Sequence, residues 1–139
     1  PIIYSSVKNA GLAQNWKVRF NETAKIPSFY NVFSELNHNE MTGFDVVPST
    51  KKLSEGFVFL FLRDQNDDMR IVKRMDITKK ILGEKGLEII DVQLQGIDAW
   101  HKIFSSVLLA DWTAYYLALH YGTESEQVPM VEEFKKLLV

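Results

Sequence analysis

The six residues Glu35-Leu36-Asn37-His38-Asn39-Glu40 place two carboxylates, one histidine and two amides between apolar flanks. An imidazole titrates near neutral pH, so it both gives and takes protons under ordinary conditions. Glu35 precedes His38 by three residues, so one helical turn could orient the imidazole and leave its second nitrogen free. The spacing is compatible with a proton shuttle. It is equally compatible with a structural role, in which Asn37 and Asn39 cap a helix and His38 closes a hydrogen-bond network.

Three other charged side chains have ordinary structural explanations when the residues are considered alone. Glu22 lies in Asn21-Glu22-Thr23-Ala24-Lys25, a segment typical of a helix end. Lys135 and Lys136 form a pair near the last residues, where positive charge suits the negative end of a helix dipole. From composition and spacing, none of the three is singled out as catalytic.

The common catalytic and cofactor-binding motifs do not occur. The sequence has no G-x-G-x-x-G, no G-x-x-x-x-G-K-[ST] and no G-x-S-x-G, so nothing favours a nucleotide-binding fold or an α/β-hydrolase. It has no cysteine and no H-E-x-x-H, and His101 and His120 lie far from His38 in the sequence. We therefore expect no metal site. Ser5 and Ser6 follow a short apolar run and could bind a phosphate, although two serines are a weak signal.

The composition is that of one ordinary globular domain. The chain has 139 residues, is 46% hydrophobic and carries a formal net charge of −2. It has no long basic run that would suit nucleic acid or an anionic membrane. Without cysteine it can form no disulfide, which favours a cytoplasmic location. Because the chain starts at Pro1 rather than at Met, we expect residues 1–139 to be one domain at the end of a longer polypeptide.

Apolar periodicity predicts strands that alternate with helices. Strands are expected at 2–4, 57–62 and 87–94, and helices at 7–19, 69–85, 98–121 and 128–138. The segment 21–56 is rich in Gly, Pro, Asn and Ser and should contain only a short helix at 37–43. This order favours an α/β fold with a mostly parallel sheet flanked by helices.

The helix predicted at 98–121 is apolar on several faces. Asp98 is a plausible N-cap and Gly122 a plausible end signal. We expect the helix to be buried against the sheet and against a second subunit or domain. His101, Lys102 and Asp111 argue against a membrane span.

Several segments, taken in order, carry a family resemblance. They are Ile2-Ile3-Tyr4-Ser5-Ser6, Trp16-Lys17, Asn21-Glu22-Thr23-Ala24-Lys25, Glu35-Leu36-Asn37-His38-Asn39-Glu40, Gly43, Leu62-Arg63-Asp64, Asp111-Trp112, Tyr115-Tyr116-Leu117-Ala118-Leu119, Gly122, Val128, Val131 and Phe134-Lys135. These segments resemble the C-terminal half of the bifunctional phosphoglucose/phosphomannose isomerases of archaea and some bacteria. The resemblance covers essentially the whole chain and implies a three-layer sugar-isomerase (SIS) domain.

The resemblance implies a role for three residues. Glu22 matches the base that moves a proton between C1 and C2 of the open sugar, and His38 matches the residue that opens the ring. Lys135, or less well Lys136, matches the C-terminal active-site lysine. The reaction implied is the interconversion of glucose 6-phosphate or mannose 6-phosphate with fructose 6-phosphate through a cis-enediol, without metal or organic cofactor.

The resemblance also implies partners. In such enzymes an N-terminal SIS half holds the sugar phosphate with a Ser/Thr-rich loop and an arginine, and this chain has no counterpart of it. The histidine is supplied across a dimer interface, so we expect a homodimer in which His38 serves the neighbouring subunit's site. Neither nucleic acid nor a membrane is expected as a partner.

Two departures and two alternatives accompany the resemblance. Where the family usually carries Gly-Asp-Trp followed by a serine, this chain has Ala110-Asp111-Trp112 and Ala114, and Glu124-Ser125 replaces an Asp-Pro pair. These departures concern packing more than the three candidate residues. The alternatives are a non-catalytic sugar-phosphate-binding or dimerisation module of the same fold, and another SIS enzyme such as the isomerase part of glucosamine-6-phosphate synthase.

Overall fold

The structure is a computed structural model that describes residues 1–138. Within these residues four strands form one parallel sheet in the order β2-β1-β3-β4: β1 (Ile2–Ser6), β2 (Phe29–Phe33), β3 (Val58–Arg63) and β4 (Glu88–Gln93). The same residues contain six helices: α1 (Ala10–Glu22), α2 (Glu40–Gly43), α3 (Lys51–Ser54), α4 (Met69–Glu84), α5 (Ala99–Tyr121) and α6 (Pro129–Leu137). The expected α/β class and parallel sheet are confirmed.

The sheet is covered on both faces, which gives three layers. On one face α1 and α5 close a core that includes Ile3, Trp16, Leu60, Leu62 and Ala114. On the other face α4 and the segment 34–44 close a second core that includes Tyr4, Phe33, Phe59, Phe61 and Met75. Strand β3 contributes to both cores, which explains why its sequence is apolar without alternation.

Strand β2 lies in the segment 21–56, which the sequence predicts to be loop-rich with one short helix. The absence of a strand from that prediction is wrong. It is an edge strand in which Phe29 and Tyr30 are exposed and only Phe33 is fully buried. Such a strand lacks the alternation that marks a half-buried one. Its parallel pairing with β1, from Ile2 opposite Phe29 to Ser6 opposite Phe33, is what makes it a strand.

Helix α5 begins and ends where the sequence predicts. The Asp98 carboxylate accepts a hydrogen bond from the His101 amide at 2.8 Å, and Gly122 ends the helix in the left-handed conformation with φ of 65°. A residue with a Cβ is strained at such a φ, so the glycine fits the position. Within residues 1–138 no helix has the combination of length and apolarity needed to span a membrane.

Helix α5 packs on α1 through small side chains rather than through its large ones. The buried residues form a single stripe along the helix: Lys102, Ser106, Ala110, Ala114 and Ala118. The Trp16 indole donates to the Ser106 hydroxyl at 3.0 Å. Burial of this helix against the sheet is confirmed only for that small-residue stripe, and burial of its large apolar residues against a second subunit or domain stays a prediction. Those exposed include Trp100, Phe104, Leu108, Trp112, Tyr116 and Leu119.

Candidate active site

Glu22 is the last residue of α1 and lies at the edge of the sheet where the strands begin. Helix α1 follows the end of β1 and runs back across the sheet, so its last turn comes near the start of β1. The next strand starts beside Pro1, whose carbonyl accepts a hydrogen bond from the Phe29 amide at 3.2 Å. Glu22 is exposed, and among residues 1–138 its carboxylate has no hydrogen bond or ion pair. Its carboxylate is therefore accessible to a ligand.

Helix α6 reaches the same edge of the sheet. The Lys25 ammonium donates to the carbonyl of Glu22 and, at 2.5 Å, to the carbonyl of Gln127, two residues before α6 begins. Lys135 is exposed on α6, and its ammonium pairs with the Glu132 carboxylate at 2.7 Å. The structure thus brings the start of α6 beside the end of α1, but it shows Lys135 bound to Glu132 rather than to Glu22.

His38 lies at the opposite edge of the sheet, where the strands end. It follows β2 after the 3₁₀ turn Glu35–Asn37. Because β2 has five residues and each step advances about 3.3 Å, the strand alone separates the two edges by about 13 Å. One chain therefore does not bring His38 and Glu22 into a single site.

The contacts around His38 differ from those considered from the sequence. The Glu35 carboxylate accepts a hydrogen bond from the Asn39 amide group at 2.9 Å, so it does not orient the imidazole. The Asn39 side chain in turn accepts from the backbone amide of Glu40 and caps α2, which confirms that part of the structural alternative. The His38 side chain is exposed and makes no hydrogen bond in the described part of the chain.

Ser5 and Ser6 do not present a phosphate site. Both residues are buried at the end of β1. The Ser6 hydroxyl donates to the Asp67 carboxylate at 2.7 Å, and the Ser5 hydroxyl donates to the carbonyl of Ser6 at 3.0 Å. Both hydroxyl protons are used inside the fold, so the suggestion that these serines hold a phosphate is wrong for this conformation.

A buried ionic cluster that sequence reasoning missed lies where β1 and β3 end. The Asp64 carboxylate accepts hydrogen bonds from Lys102, from Lys8 at 2.9 Å and from the Asn66 amide at 3.0 Å. Burial alone would raise the pKa of Asp64, but these hydrogen bonds outweigh it and hold that pKa well below its usual range. The sequence offered one sign of this cluster: Lys102 is the one Lys or Arg in the largely apolar α5. Its spacing does not identify Asp64 as its partner.

The same cluster lines a cavity of about 510 Å³, whose other walls include Asn15 and Gly96. Gly96 has no room for a side chain, because a Cβ there would lie 2.5 Å from the backbone nitrogen of Lys102. Glu22, His38 and Lys135 do not line this cavity. In residues 1–138 no three His, Asp or Glu side chains are grouped to hold a metal ion.

Replacing Lys102 should destabilise the fold much more than replacing Lys8. The Lys102 side chain is 7% exposed, so Lys102→Met leaves the buried Asp64 carboxylate without its buried cation and should cost about 3–5 kcal/mol. The Lys8 side chain is 54% exposed, so Lys8→Met should cost less than about 1 kcal/mol. Urea unfolding followed by circular dichroism measures both free energies. Equal losses in the two variants would show that Lys102 is not the main partner of Asp64.

Comparison with known proteins places this domain in a family. Residues 1–138 match the family described as the bacterial phospho-glucose isomerase C-terminal SIS domain. The bifunctional phosphoglucose/phosphomannose isomerase of Aquifex aeolicus is 35% identical over 138 residues, which are 99% of this chain and 42% of that protein. The protein of the same name from Thermoplasma volcanium is 36% identical over 138 residues, 98% of this chain and 42% of its own length. The chain thus spans about two fifths of these relatives.

Solved structures share the fold. A glucose-6-phosphate isomerase like protein from Thermus thermophilus superposes with a TM-score of 0.66 at 20% identity, covering 91% of this chain and 41% of that one. Glucosamine-6-phosphate deaminase from Thermotoga maritima superposes with a TM-score of 0.63 at 16% identity, covering 92% and 38%. The three-layer architecture is therefore of the SIS type, and the chain belongs to the family of bacterial phosphoglucose isomerase C-terminal SIS domains.

Proposed function

We propose that this chain is the C-terminal part of an aldose–ketose isomerase that interconverts glucose 6-phosphate and mannose 6-phosphate with fructose 6-phosphate. The observation that carries the proposal is the placement of Glu22 and His38. Each side chain is exposed and has no partner in the described chain, and the two lie at opposite edges of one sheet. This arrangement supports a site shared between two subunits, in which each chain offers its base to one site and its ring opener to the other.

The proposed chemistry needs only proton transfers. The imidazolium of His38 gives a proton to the ring oxygen as the bond between that oxygen and the anomeric carbon breaks, while the hydroxyl on that carbon gives its proton to a water molecule and the carbonyl forms. The Glu22 carboxylate then takes the proton from C2 of the aldose, and the C–H electron pair forms the enediolate. A proton then moves from the oxygen on C2 to the oxygen on C1, and return of the carbon-bound proton from Glu22 to C1 gives the ketose with its carbonyl at C2. The Lys135 ammonium would stabilise the negative oxygen of the intermediate, and neither a metal nor an organic cofactor takes part.

The exposed apolar face beside Glu22 supports a role for an N-terminal half. Helix α6 buries none of its residues, although it is apolar on one side, with Val131 and Phe134 exposed, as is Leu138 just after its end. The last turns of α5, at the same edge, also expose Leu119 and Tyr121. The family is by description a C-terminal domain, and the relatives are more than twice as long as this chain. We therefore assign this face to the preceding half, which would hold the substrate phosphate next to Glu22.

Isomerase assays of two proteins test the proposal: the chain alone, and the chain joined to an N-terminal half. We expect fructose 6-phosphate to form from glucose 6-phosphate and from mannose 6-phosphate only in the joined protein, because the chain alone lacks the phosphate contacts. NMR follows both conversions directly. A joined protein that binds sugar phosphate but converts neither aldose would instead support the alternative of a non-catalytic binding or dimerisation module.

A further inference from the structure

We propose that Tyr4 and Glu40 are positioning residues that fix the loop carrying His38, so that its imidazole projects from a rigid backbone toward the neighbouring subunit's substrate. The inference rests on the proposed role of His38. Neither Tyr4 nor Glu40 contacts that imidazole. They act on it by holding the segment in which it lies.

The hydrogen bond between Tyr4 and Glu40, called the anchor below, joins the centre of the sheet to the start of α2. Tyr4 is 1% exposed in β1, and its ring packs against those of Phe59 and Phe61 at centroid distances of 5.4 and 5.6 Å. Its hydroxyl donates to Oε1 of Glu40 at 2.6 Å. The amide group of Asn31 in β2 donates to the other oxygen, Oε2. The Glu40 carboxylate is thus bound on both oxygens by side chains of the sheet.

The loop is also held on the other side of His38. Leu36 is fully buried in the core between the sheet and α4. The Asn37 amide group donates to the hydroxyl of Thr78, a buried residue of α4, at 2.9 Å. His38 and Asn39, between these anchors, are exposed. The backbone of His38 is therefore fixed from the sheet and from α4 while its side chain is left for another molecule.

The Tyr4 hydroxyl keeps its proton and so stays a hydrogen-bond donor to Glu40. Burial raises the pKa of Tyr4, and the hydrogen bond to the Glu40 carboxylate raises it further. The phenol therefore remains a neutral donor at neutral and mildly alkaline pH. A hydrogen bond to an ionised carboxylate is worth more than a neutral one, about 1.5–3 kcal/mol. This bond spans 36 residues of sequence and brings the second half of the loop onto β1.

Hydrogen exchange in the chain as it stands tests the anchor. Glu40→Ala and Tyr4→Phe should speed the amide exchange of residues 37–41 by about 10- to 100-fold, since each removes a charge-assisted hydrogen bond. Glu40→Gln should have a smaller effect, because its amide oxygen still accepts from Tyr4. Tyr30→Phe is the matched control, since Tyr30 lies on exposed β2 without a hydroxyl partner in residues 1–138, and it should change nothing. Unchanged exchange at residues 37–41 in folded Glu40→Ala would overturn the proposal.

A second readout separates positioning from general stability. In the joined isomerase, Glu40→Ala should lower the enzyme-catalysed interconversion of fructose 6-phosphate anomers, which needs ring opening, by about tenfold or more. The exchange of the C1 hydrogen of the open-chain ketose with solvent, which needs Glu22, should change much less. Equal losses in both rates would point to a structural role only. If the loop loosens as expected but the native joined protein accelerates neither process, the proposed function fails while the anchor stands.

Discussion

Glu22→Gln in the joined isomerase is expected to lower the rate of fructose 6-phosphate formation about 10²- to 10⁴-fold, the usual loss when a general base is removed. Gln has the shape of Glu, so substrate binding should change little, but its amide does not take a proton from C2. NMR in deuterated water measures the loss directly, because the native enzyme should exchange the C2 hydrogen of the aldose with solvent and the variant should not.

Three controls distinguish loss of the base from loss of stability or of surface charge. Glu22 is exposed and unpaired in the described chain, so Glu22→Gln should leave the free energy of unfolding within about 0.5 kcal/mol of native. Glu55→Gln removes another exposed carboxylate, between α3 and β3, and should keep full activity. The Glu22→Gln enzyme should still interconvert the anomers of fructose 6-phosphate, because His38 is intact. Equal turnover by native and Glu22→Gln enzymes would show that Glu22 is not the base.

Local sequence patterns correctly predicted the strands and helices whose residues are buried in a regular pattern. Strand β3 is covered on both faces and is uniformly apolar, and α5 has an acidic cap at one end and a left-handed glycine at the other. Strand β2 has no such pattern, because its residues are exposed at the sheet edge and its identity depends on pairing with β1. A pairing between residues 2–6 and 29–33 is not local, so periodicity does not reveal it.

The faces of α5 show a second limit of periodicity. Large apolar residues suggest a buried surface, but α5 meets α1 through Ser106, Ala110, Ala114 and Ala118, whose small size permits close approach. The four-residue spacing of these small side chains was the usable signal. The large residues mark a different surface. In the proposed function, the part of it near Glu22 packs against the N-terminal half.

The sequence predicts only some of the contacts around the candidate site residues. Around His38, Glu35 has polar residues both three and four positions ahead, His38 and Asn39, and spacing alone does not say which of them it binds. The anchor between Tyr4 and Glu40 joins residues 36 apart, so no local pattern shows it. The placement of Glu22 and His38 at opposite sheet edges likewise depends on the parallel topology.

Mixing Glu22→Gln subunits with His38→Ala subunits should restore activity that neither variant has by itself. Each homodimer lacks one group in both of its sites. In a mixed dimer, one site receives Glu22 from the His38→Ala chain and His38 from the Glu22→Gln chain, so it is native, and the other site lacks both groups. Random pairing makes half of the dimers mixed, so about a quarter of native activity should return. The measurement is isomerisation after the joined proteins are refolded together.

A matched mixture removes the remaining ambiguity. When native subunits are mixed with subunits that carry both Glu22→Gln and His38→Ala, each site of a mixed dimer lacks one group, so only native homodimers work and about a quarter of native activity should remain. If both residues served the site of their own chain, the first mixture would stay inactive and the second would keep about half. A shared site therefore gives about a quarter of native activity in both mixtures, whereas an unshared site gives none in the first and about half in the second. The shared site is expected because β2 keeps His38 at the far edge of the sheet from Glu22.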